Sequence, residues 1–338
     1  MKKHLLLGAL AVAGLAAGAA SGATLDDVKA RGKLKCGVTT GLVGFAAPDA
    51  NGNWAGFDVS YCRALAAAVL GDQNAIEFVP TTGKTRFTAL ASGEVDVLAR
   101  NTTWTFSRDV DLKFEFVGIN YYDGQGFMVP KSLGVSSAKE LDGATVCIQT
   151  GTTTELNLAD FFRSNNMDYE PVPIETNAEA QQQFLAGACD VYTTDASGLA
   201  ATRATFENPG DYVILPEIIS KEPLGPLVRH GDQEWGDIAR WTLNALISAE
   251  ELGITSANID ELAKGTNNPE INRILGTEGD LGGMFRLDKQ WAYRAIKAGG
   301  NYGELFEKHI GESTPVGLAR GLNAQWKDGG LLYSPPFR

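Results

Sequence analysis

Residues 95–108 read VDVLARNTTWTFSR. The apolar start, Val95 to Ala99, follows a glycine and is typical of a short buried strand. A hydroxyl-rich turn comes next, and Arg108 lies three residues past Thr105. Arginine pairs with a carboxylate through two parallel hydrogen bonds, and threonine hydroxyls can bind the remaining lone pairs. The stretch predicts a small-anion site at a strand end, although a capped helix with a solvated arginine fits the same residues.

Strands and helices alternate around this stretch. We predict strands at Leu34–Val38, Ile76–Val79 and Val95–Ala99. We predict helices at Leu25–Arg31 and Arg86–Ser92, and a third helix that has Asp58 as its N-cap and ends at Gly71. An Asn-Gly pair within residues 49–53 predicts a hairpin turn. Such alternation is typical of a mostly parallel sheet with helices on its faces.

The same pattern begins again after residue 138. Here we predict strands at Thr145–Ile148, Pro171–Ile174 and Cys189–Thr193, with helices at Glu155–Arg163 and Ala178–Ala186. Extended segments at 118–129 and 223–229 connect the two units, and a length of 338 residues favours two domains. We therefore predict an α/β fold with lobe 1 formed by residues 24–122 and 228–338, lobe 2 by 123–227, and a cleft between them.

The N-terminus has the pattern of an export signal. Lys2 and Lys3 precede an apolar run to about Ala17, and small residues lead to a predicted cleavage after Ala23. The formal charge of −12 argues against nucleic acid and anionic membranes as partners. The mature protein is therefore predicted to be exported.

Four cysteines in an exported chain predict two disulfides. Three pairings are possible, and the pairing that keeps each bridge inside one folding unit is Cys36–Cys62 with Cys147–Cys189. A zinc site is disfavoured because the cysteines are isolated and only His230 and His309 follow the signal. We expect no metal and no cofactor.

Several motifs carry a resemblance to a known family. They are GFDVSYCRAL from Gly56, SGEVDVLARNTTWTFSR ending at Arg108, QTGTTTE from Gln149 and ACDVYTTDAS from Ala188. Over about residues 34–275 the chain resembles the extracellular solute-binding proteins of polar amino-acid ABC importers. Its end, with GNYGELFEKHIG from Gly300, is similar to the longer subgroup of general L-amino-acid-binding proteins. The resemblance implies a type II, Venus-flytrap fold with a C-terminal extension of lobe 1 from about residue 276.

The resemblance also implies a clamp for the ligand backbone. Arg108 would bind the α-carboxylate beside Thr103, while Thr152 and Thr153 contribute from lobe 2 and Asp195 pairs with the α-ammonium. Thr152 and Glu155 have the spacing of a capping box, which points a helix N-terminus at the cleft. Ordinary helix and turn caps are the alternatives for Thr152 and Asp195.

The loop after the first strand is expected to enclose the ligand side chain. Its candidates are Leu42 and Phe45, and Thr39 and Asn101 are further site candidates. Relatives selective for basic amino acids carry an aromatic ring where this chain has Leu42. The loss of cation–π recognition predicts broad specificity.

The predicted function is a monomeric periplasmic receptor that binds free L-amino acids and delivers them to the transmembrane permease of an ABC importer. A dehydratase-like enzyme on the same scaffold is the first alternative, but neither histidine falls on a predicted cleft loop. A ligand sensor for a signalling receptor is the second alternative. The sequence does not separate a sensor from a transport receptor, because both would use the same clamp.

Overall fold

The structure, a computed structural model, describes residues 24–338, and the predicted export signal lies outside the described residues. The strands are β1 (Leu34–Thr39), β2 (Ala47–Pro48), β3 (Trp54–Ala55), β4 (Ile76–Thr81), β5 (Val97–Leu98), β6 (Phe114–Phe116), β7 (Tyr121–Asp123), β8 (Gln125–Pro130), β9 (Ala144–Gln149), β10 (Tyr169–Ile174), β11 (Val191–Asp195), β12 (Tyr212–Ile214), β13 (Glu222–Leu224) and β14 (Leu227–Arg229).

The helices are α1 (Thr24–Arg31), α2 (Phe57–Leu70), α3 (Arg86–Ala91), α4 (Thr153–Ser164), α5 (Asn177–Leu185), α6 (Ala196–Arg203), α7 (Gln233–Glu251), α8 (Ile259–Leu262), α9 (Pro269–Leu275), α10 (Leu281–Met284), α11 (Trp291–Gly299) and α12 (Tyr302–His309). Within residues 24–338, none of these helices has the length and apolar character needed to cross a membrane.

Two five-stranded sheets follow the same plan. The first has the order β4–β1–β5–β14–β6 and the second the order β10–β9–β11–β8–β12. In each sheet the first three strands are parallel, and the remaining two pair antiparallel to their neighbours. The predicted two-lobed, mostly parallel α/β fold is confirmed.

The strand of the opening stretch is shorter than predicted. Only Val97 and Leu98 pair with β1, opposite Cys36 and Gly37. The chain then leaves the sheet and forms a single π-helical turn, Ser107–Asp111, which contains Arg108. The intervening residues are therefore free to line the cleft.

A two-stranded ribbon links the lobes. In it β7 and β13 pair antiparallel, with Tyr121 opposite Leu224 and Asp123 opposite Glu222. The ribbon is tightly packed at one end, where a Cβ placed on Gly225 would lie 2.0 Å from the Gly118 carbonyl oxygen. The predicted lobe boundaries fall within β7 and β14.

Helix α2 begins differently from the prediction. Gly56 is its N-cap, with φ of 140°, and Asp58 lies inside the helix. A Cβ on Gly56 would approach the Phe45 carbonyl oxygen to 2.1 Å, so the close approach of the loop requires glycine. Asp58 is buried and accepts a hydrogen bond from Asn120 Nδ2 at 3.2 Å. The predicted Asp58 cap is thus wrong.

Both predicted disulfides are present. Cys36–Cys62 joins β1 to α2, with a Cα–Cα distance of 6.3 Å. Cys147–Cys189 joins β9 to the segment before β11, with a Cα–Cα distance of 5.6 Å. Each bridge therefore ties a strand to a neighbouring element of its own lobe.

The C-terminal residues pack on lobe 1 and reach the ribbon. Helix α11 packs mainly on α2, and α12 packs on α7. The Tyr302 hydroxyl donates to the Asn120 carbonyl at 2.8 Å, and Asn323 Oδ1 accepts from the Tyr122 N–H at 2.7 Å. The end of the chain thus supports the segment that enters lobe 2.

Candidate functional site

A cavity lies between the lobes, at the carboxyl ends of parallel strands from both sheets. Thr39 ends β1, Gln149 ends β9 and Asp195 ends β11, while Arg100 and Asn101 follow β5. Seven of the nine predicted ligand residues line it, namely Thr39, Leu42, Asn101, Thr103, Thr152, Thr153 and Asp195. Strand ends at such an edge are the usual location of ligand sites in open α/β sheets.

The lobes are closed on each other around this cavity. Asn177 Nδ2 donates to Thr39 Oγ1 and to the Gly41 carbonyl, both at 3.2 Å. The hydroxyls of Thr103 and Thr153 lie 3.2 Å apart across the cleft. The enclosed volume is about 40 Å³, and a water molecule takes up about 10–15 Å³ on the same measure. The cleft must therefore widen to admit a solute as large as an amino acid.

The N-terminus of α4 points at the cavity. Thr152 is its N-cap, and Thr152 Oγ1 accepts from the Glu155 N–H at 3.3 Å. The Glu155 carboxylate accepts from the Gly151 N–H at 3.0 Å rather than from the N-cap residue, so only half of the predicted capping box forms. Since a helix N-terminus carries partial positive charge, this wall of the cavity favours anions.

The side-chain carboxylate of Glu222 is buried between the lobes and accepts hydrogen bonds from both of them. Glu222 Oε2 accepts from Thr103 Oγ1 at 2.5 Å and from Thr153 Oγ1 at 2.9 Å. Its Oε1 accepts from Asn157 Nδ2 and Ser220 Oγ, both at 2.6 Å. Sequence reasoning missed Glu222, and the only signal was an acid directly before Pro223 in the return crossover. The contacts show that one hydroxyl from each lobe can hold a carboxylate at this position.

Arg108 lies behind Thr103 and does not line the cavity. Its Nη1 donates to the Thr103 carbonyl at 2.8 Å, and its Cζ lies 5.1 Å from the centre of the Phe87 ring. That is the only hydrogen bond found for its guanidinium within residues 24–338, so further donors remain available. Burial lowers the pKa of Arg108 to about 10, which leaves it charged at neutral pH.

Two further arginines, which the sequence analysis did not single out, line the cavity. Arg86, on α3, donates from Nη2 to the Gly151 carbonyl across the cleft at 3.2 Å. Arg100 donates from Nε to the Thr81 carbonyl at 3.3 Å. Arg86 Nε and Arg100 Nη2 are buried and have no hydrogen-bond partner within residues 24–338. An arginine directly after a buried strand was the available signal for Arg100.

Asp195 supplies the negative charge of the cavity. Its Oδ1 is buried and has no hydrogen-bond partner among the residues that the structure describes. Burial, together with the nearby carboxylates of Asp123 and Glu222, raises the pKa of Asp195 well above its usual range, against the opposing effect of Arg86 and Arg108. A cationic group bound beside it would favour the charged carboxylate.

Phe45 is a correction to the predicted site. The turn closed by the Leu42 and Ala46 backbone directs it into lobe 1, where it is fully buried. Its ring packs edge-to-face on Phe57 and Tyr121, with centroid distances of 6.4 and 5.7 Å. Phe45 is therefore part of the core, whereas Leu42 lines the cavity.

Comparison with known proteins agrees with this architecture. Residues 34–258 match the model of the bacterial extracellular solute-binding proteins, family 3. The chain belongs to this family. One relative with a similar sequence is the glutamate/glutamine/aspartate/asparagine-binding protein of Rhodobacter capsulatus. The two sequences are 69% identical over 338 residues, and the alignment covers both chains completely. The general L-amino acid-binding periplasmic protein of Rhizobium johnstonii is 58% identical over 342 residues, again with complete coverage of both chains.

A solved structure is also close to this chain in fold. It is an ABC transporter periplasmic binding protein from Brucella ovis with glutathione bound. The two chains share 57% identity, and the superposition covers 93% of this chain and 99% of the other with a TM-score of 0.90. The likeness extends beyond residues 34–258 and therefore includes most of the C-terminal extension.

Proposed function

We propose that this protein is the periplasmic substrate-binding component of an ABC importer for L-amino acids. The observation that carries the proposal is the charge arrangement of the cavity. Guanidinium groups and the N-terminus of α4 provide a positive wall, and Asp195 provides a buried carboxylate oxygen without a partner. An amino-acid zwitterion matches this pair of opposite charges.

The α-carboxylate binds at the position bounded by Thr103, Thr153 and Arg108. Thr103 and Thr153 already donate to a carboxylate, that of Glu222, so an incoming α-carboxylate competes with Glu222 for these hydroxyls. Arg108 does not line the cavity in this closed arrangement; it supplies charge from behind Thr103 in lobe 1, and its free donors reach the ligand when the cleft widens to admit it. Thr152 contributes through the helix N-terminus, and Asp195 accepts hydrogen bonds from the α-ammonium.

Ligand binding favours the closed arrangement of the lobes. Thr103 and Arg108 belong to lobe 1, whereas Thr153 and Asp195 belong to lobe 2. A ligand that contacts both sides binds the closed state more tightly than the open state and shifts the population towards it. The closed form then docks on the transmembrane permease and releases the amino acid there.

The relatives leave the range of ligands open. One is named for glutamate, glutamine, aspartate and asparagine, and another for L-amino acids in general. Glutathione belongs in the same test, because it is bound in the Brucella ovis structure. A tripeptide requires a wider opening of the cleft than a single amino acid does, so we favour free amino acids.

The test is isothermal titration of the unfolded, ligand-stripped and refolded protein. Each of the twenty L-amino acids, several D-enantiomers and glutathione are titrated separately. We expect low-micromolar or tighter binding of several L-amino acids and weaker binding of their D-enantiomers. In Arg108→Met all of them should weaken by a similar factor, roughly 30- to several-thousand-fold, because an α-carboxylate loses its buried partner. Binding of no amino acid would refute the proposal.

An enzyme and a sensor remain the alternatives. The two relatives described above are named as binding proteins, and no histidine is among the residues that line the cavity. A sensor would use the same clamp, so the distinction is genetic. Deletion of the gene should abolish uptake of the bound amino acids, whereas loss of a signalling response with normal uptake would favour the sensor.

A further inference from the structure

The proposed clamp leaves two buried guanidinium groups of the cavity, those of Arg86 and Arg100, without a role. Arg86, Arg100 and Arg108 lie close together: besides burial, the charges of Arg100 and Arg108 lower the pKa of Arg86, and the charge of Arg108 lowers the pKa of Arg100. None of the three forms a salt bridge within residues 24–338. The α-carboxylate of a ligand accounts for Arg108. A second anionic or strongly polar group is needed for the others.

Arg100 is the best placed of these groups to bind a ligand. It is 5% exposed, it follows the carboxyl end of β5, and it lines the cavity. Its Nε is fixed by the Thr81 carbonyl, while Nη2 is buried without a partner. A buried donor left without an acceptor destabilises a protein, and a ligand oxygen would remove that penalty.

The next residue complements Arg100. Asn101 Oδ1 is also buried without a hydrogen-bond partner and lines the same cavity. A carboxylate can accept from Arg100, and a carboxamide can accept from Arg100 while its amino group donates to Asn101. A cationic side chain would be repelled by Arg86 and Arg100, and Leu42 offers it no aromatic face from the loop after β1.

We infer that Arg100 is a specificity residue that binds the side-chain oxygen of acidic and amide amino acids, with Asn101 accepting from the amide. This inference rests on the proposed function and narrows it. The cleft prefers glutamate and glutamine to alanine, and it discriminates against lysine.

The test compares ligands in Arg100→Met, which keeps an unbranched side chain and removes the charge. L-Glutamate, L-glutamine, L-alanine and L-lysine are titrated by calorimetry into ligand-stripped protein at fixed pH and salt. Affinity for glutamate should fall about 10- to 100-fold, the range for loss of a hydrogen bond to a charged group. Affinity for alanine should change less than about threefold, since its methyl group does not reach such a donor.

Two further variants separate recognition from folding. Arg229→Met is the matched control, because Arg229 is a lobe 1 arginine that donates to the carbonyls of Leu90 and Val95 and does not line the cavity. It should keep the wild-type ratio of glutamate to alanine affinity whatever it does to thermal stability. Arg100→Lys keeps the charge without the forked donors, and it should give an intermediate ratio.

The outcomes distinguish this inference from the proposed function. Equal affinity of the wild type for glutamate and alanine, or an equal loss for all ligands in Arg100→Met and Arg100→Lys, would overturn the role of Arg100 and leave the backbone clamp standing. A wild type that binds no amino acid would overturn the proposed function itself. Selective loss of glutamate and glutamine supports the inference.

Discussion

Replacing Asp195 by asparagine removes the proposed partner of the ligand ammonium and preserves the shape of the side chain. In the ligand-free protein, burial and the carboxylates of Asp123 and Glu222 hold the pKa of Asp195 well above its usual range. A bound ammonium favours the charged carboxylate and lowers that pKa. Where the free carboxyl is protonated, binding of an amino acid therefore releases a proton.

The size of the affinity loss in Asp195→Asn follows from the burial of the contact between Asp195 and the ligand ammonium. Asp195 Oδ1 has no partner within the described part of the chain, so the variant leaves an ammonium in the closed cleft without its counter-charge. Loss of one partner of a buried charge pair costs about 2–5 kcal/mol, or roughly 30- to several-thousand-fold in affinity. In the wild type, affinity should also fall up to about tenfold for each pH unit below the pKa of the free carboxyl.

The assay is calorimetric titration of L-glutamate between about pH 5 and pH 8, in two buffers that differ in their heats of protonation. The difference in observed heat counts the protons released. Asp190→Asn is the control, because Asp190 precedes the same strand, is exposed, and accepts from the N–H and hydroxyl of Thr145. It should bind glutamate with wild-type affinity and pH dependence. If Asp195→Asn binds within about threefold of the wild type and releases the same number of protons, Asp195 is not the partner of the ligand ammonium.

Three other predictions concern stability. Burial raises the pKa of Asp58 to about 6, whereas an unfolded aspartate titrates near 4, so the stability contributed by its protonated form is lost as pH rises through that interval. In urea titrations, the loss of unfolding free energy between pH 4.5 and pH 7 should be about 2 kcal/mol smaller in Asp58→Asn than in the wild type. The same loss in both proteins would contradict this. Replacing both cysteines of either disulfide by alanine should lower the unfolding free energy by about 3–4 kcal/mol. The loss should be slightly larger for Cys147–Cys189 than for Cys36–Cys62, because its loop spans 42 residues rather than 26. Equal stability of the wild type with and without reductant would contradict this prediction. Gly225→Ala forces Cβ against Gly118 in the ribbon and should cost about 1–3 kcal/mol in thermal unfolding, and a wild-type melting temperature would show that the ribbon relaxes freely.

Much of the fold was predictable because its signals are local. Apolar runs bounded by glycine and polar residues gave the parallel strands of both sheets, and their repetition indicated two similar lobes. The N-cap of α2 was not predictable in this way. Both Gly56 and Asp58 are acceptable caps in a sequence, and the choice depends on the Phe45 carbonyl that presses against Gly56.

The site was predictable where strand ends identify it and not where distant segments converge. Thr39 and Asp195 are the last residues of strands that end at the cleft, and Asn101 follows another such strand. Arg86 comes from α3 and Glu222 from the ribbon, and their place in the site depends on the packing of whole elements. The inward turn that buries Phe45 likewise has no local signature.

The proposed clamp is tested most directly by a crystal structure of the ligand-stripped protein with L-glutamate. We expect the α-ammonium within hydrogen-bond distance of Asp195, about 3 Å. We expect the α-carboxylate between Thr103 and Thr153 and the side-chain carboxylate on Arg100. Glutamate bound outside the cleft, or bound with its ammonium away from Asp195, would show that the clamp is wrong.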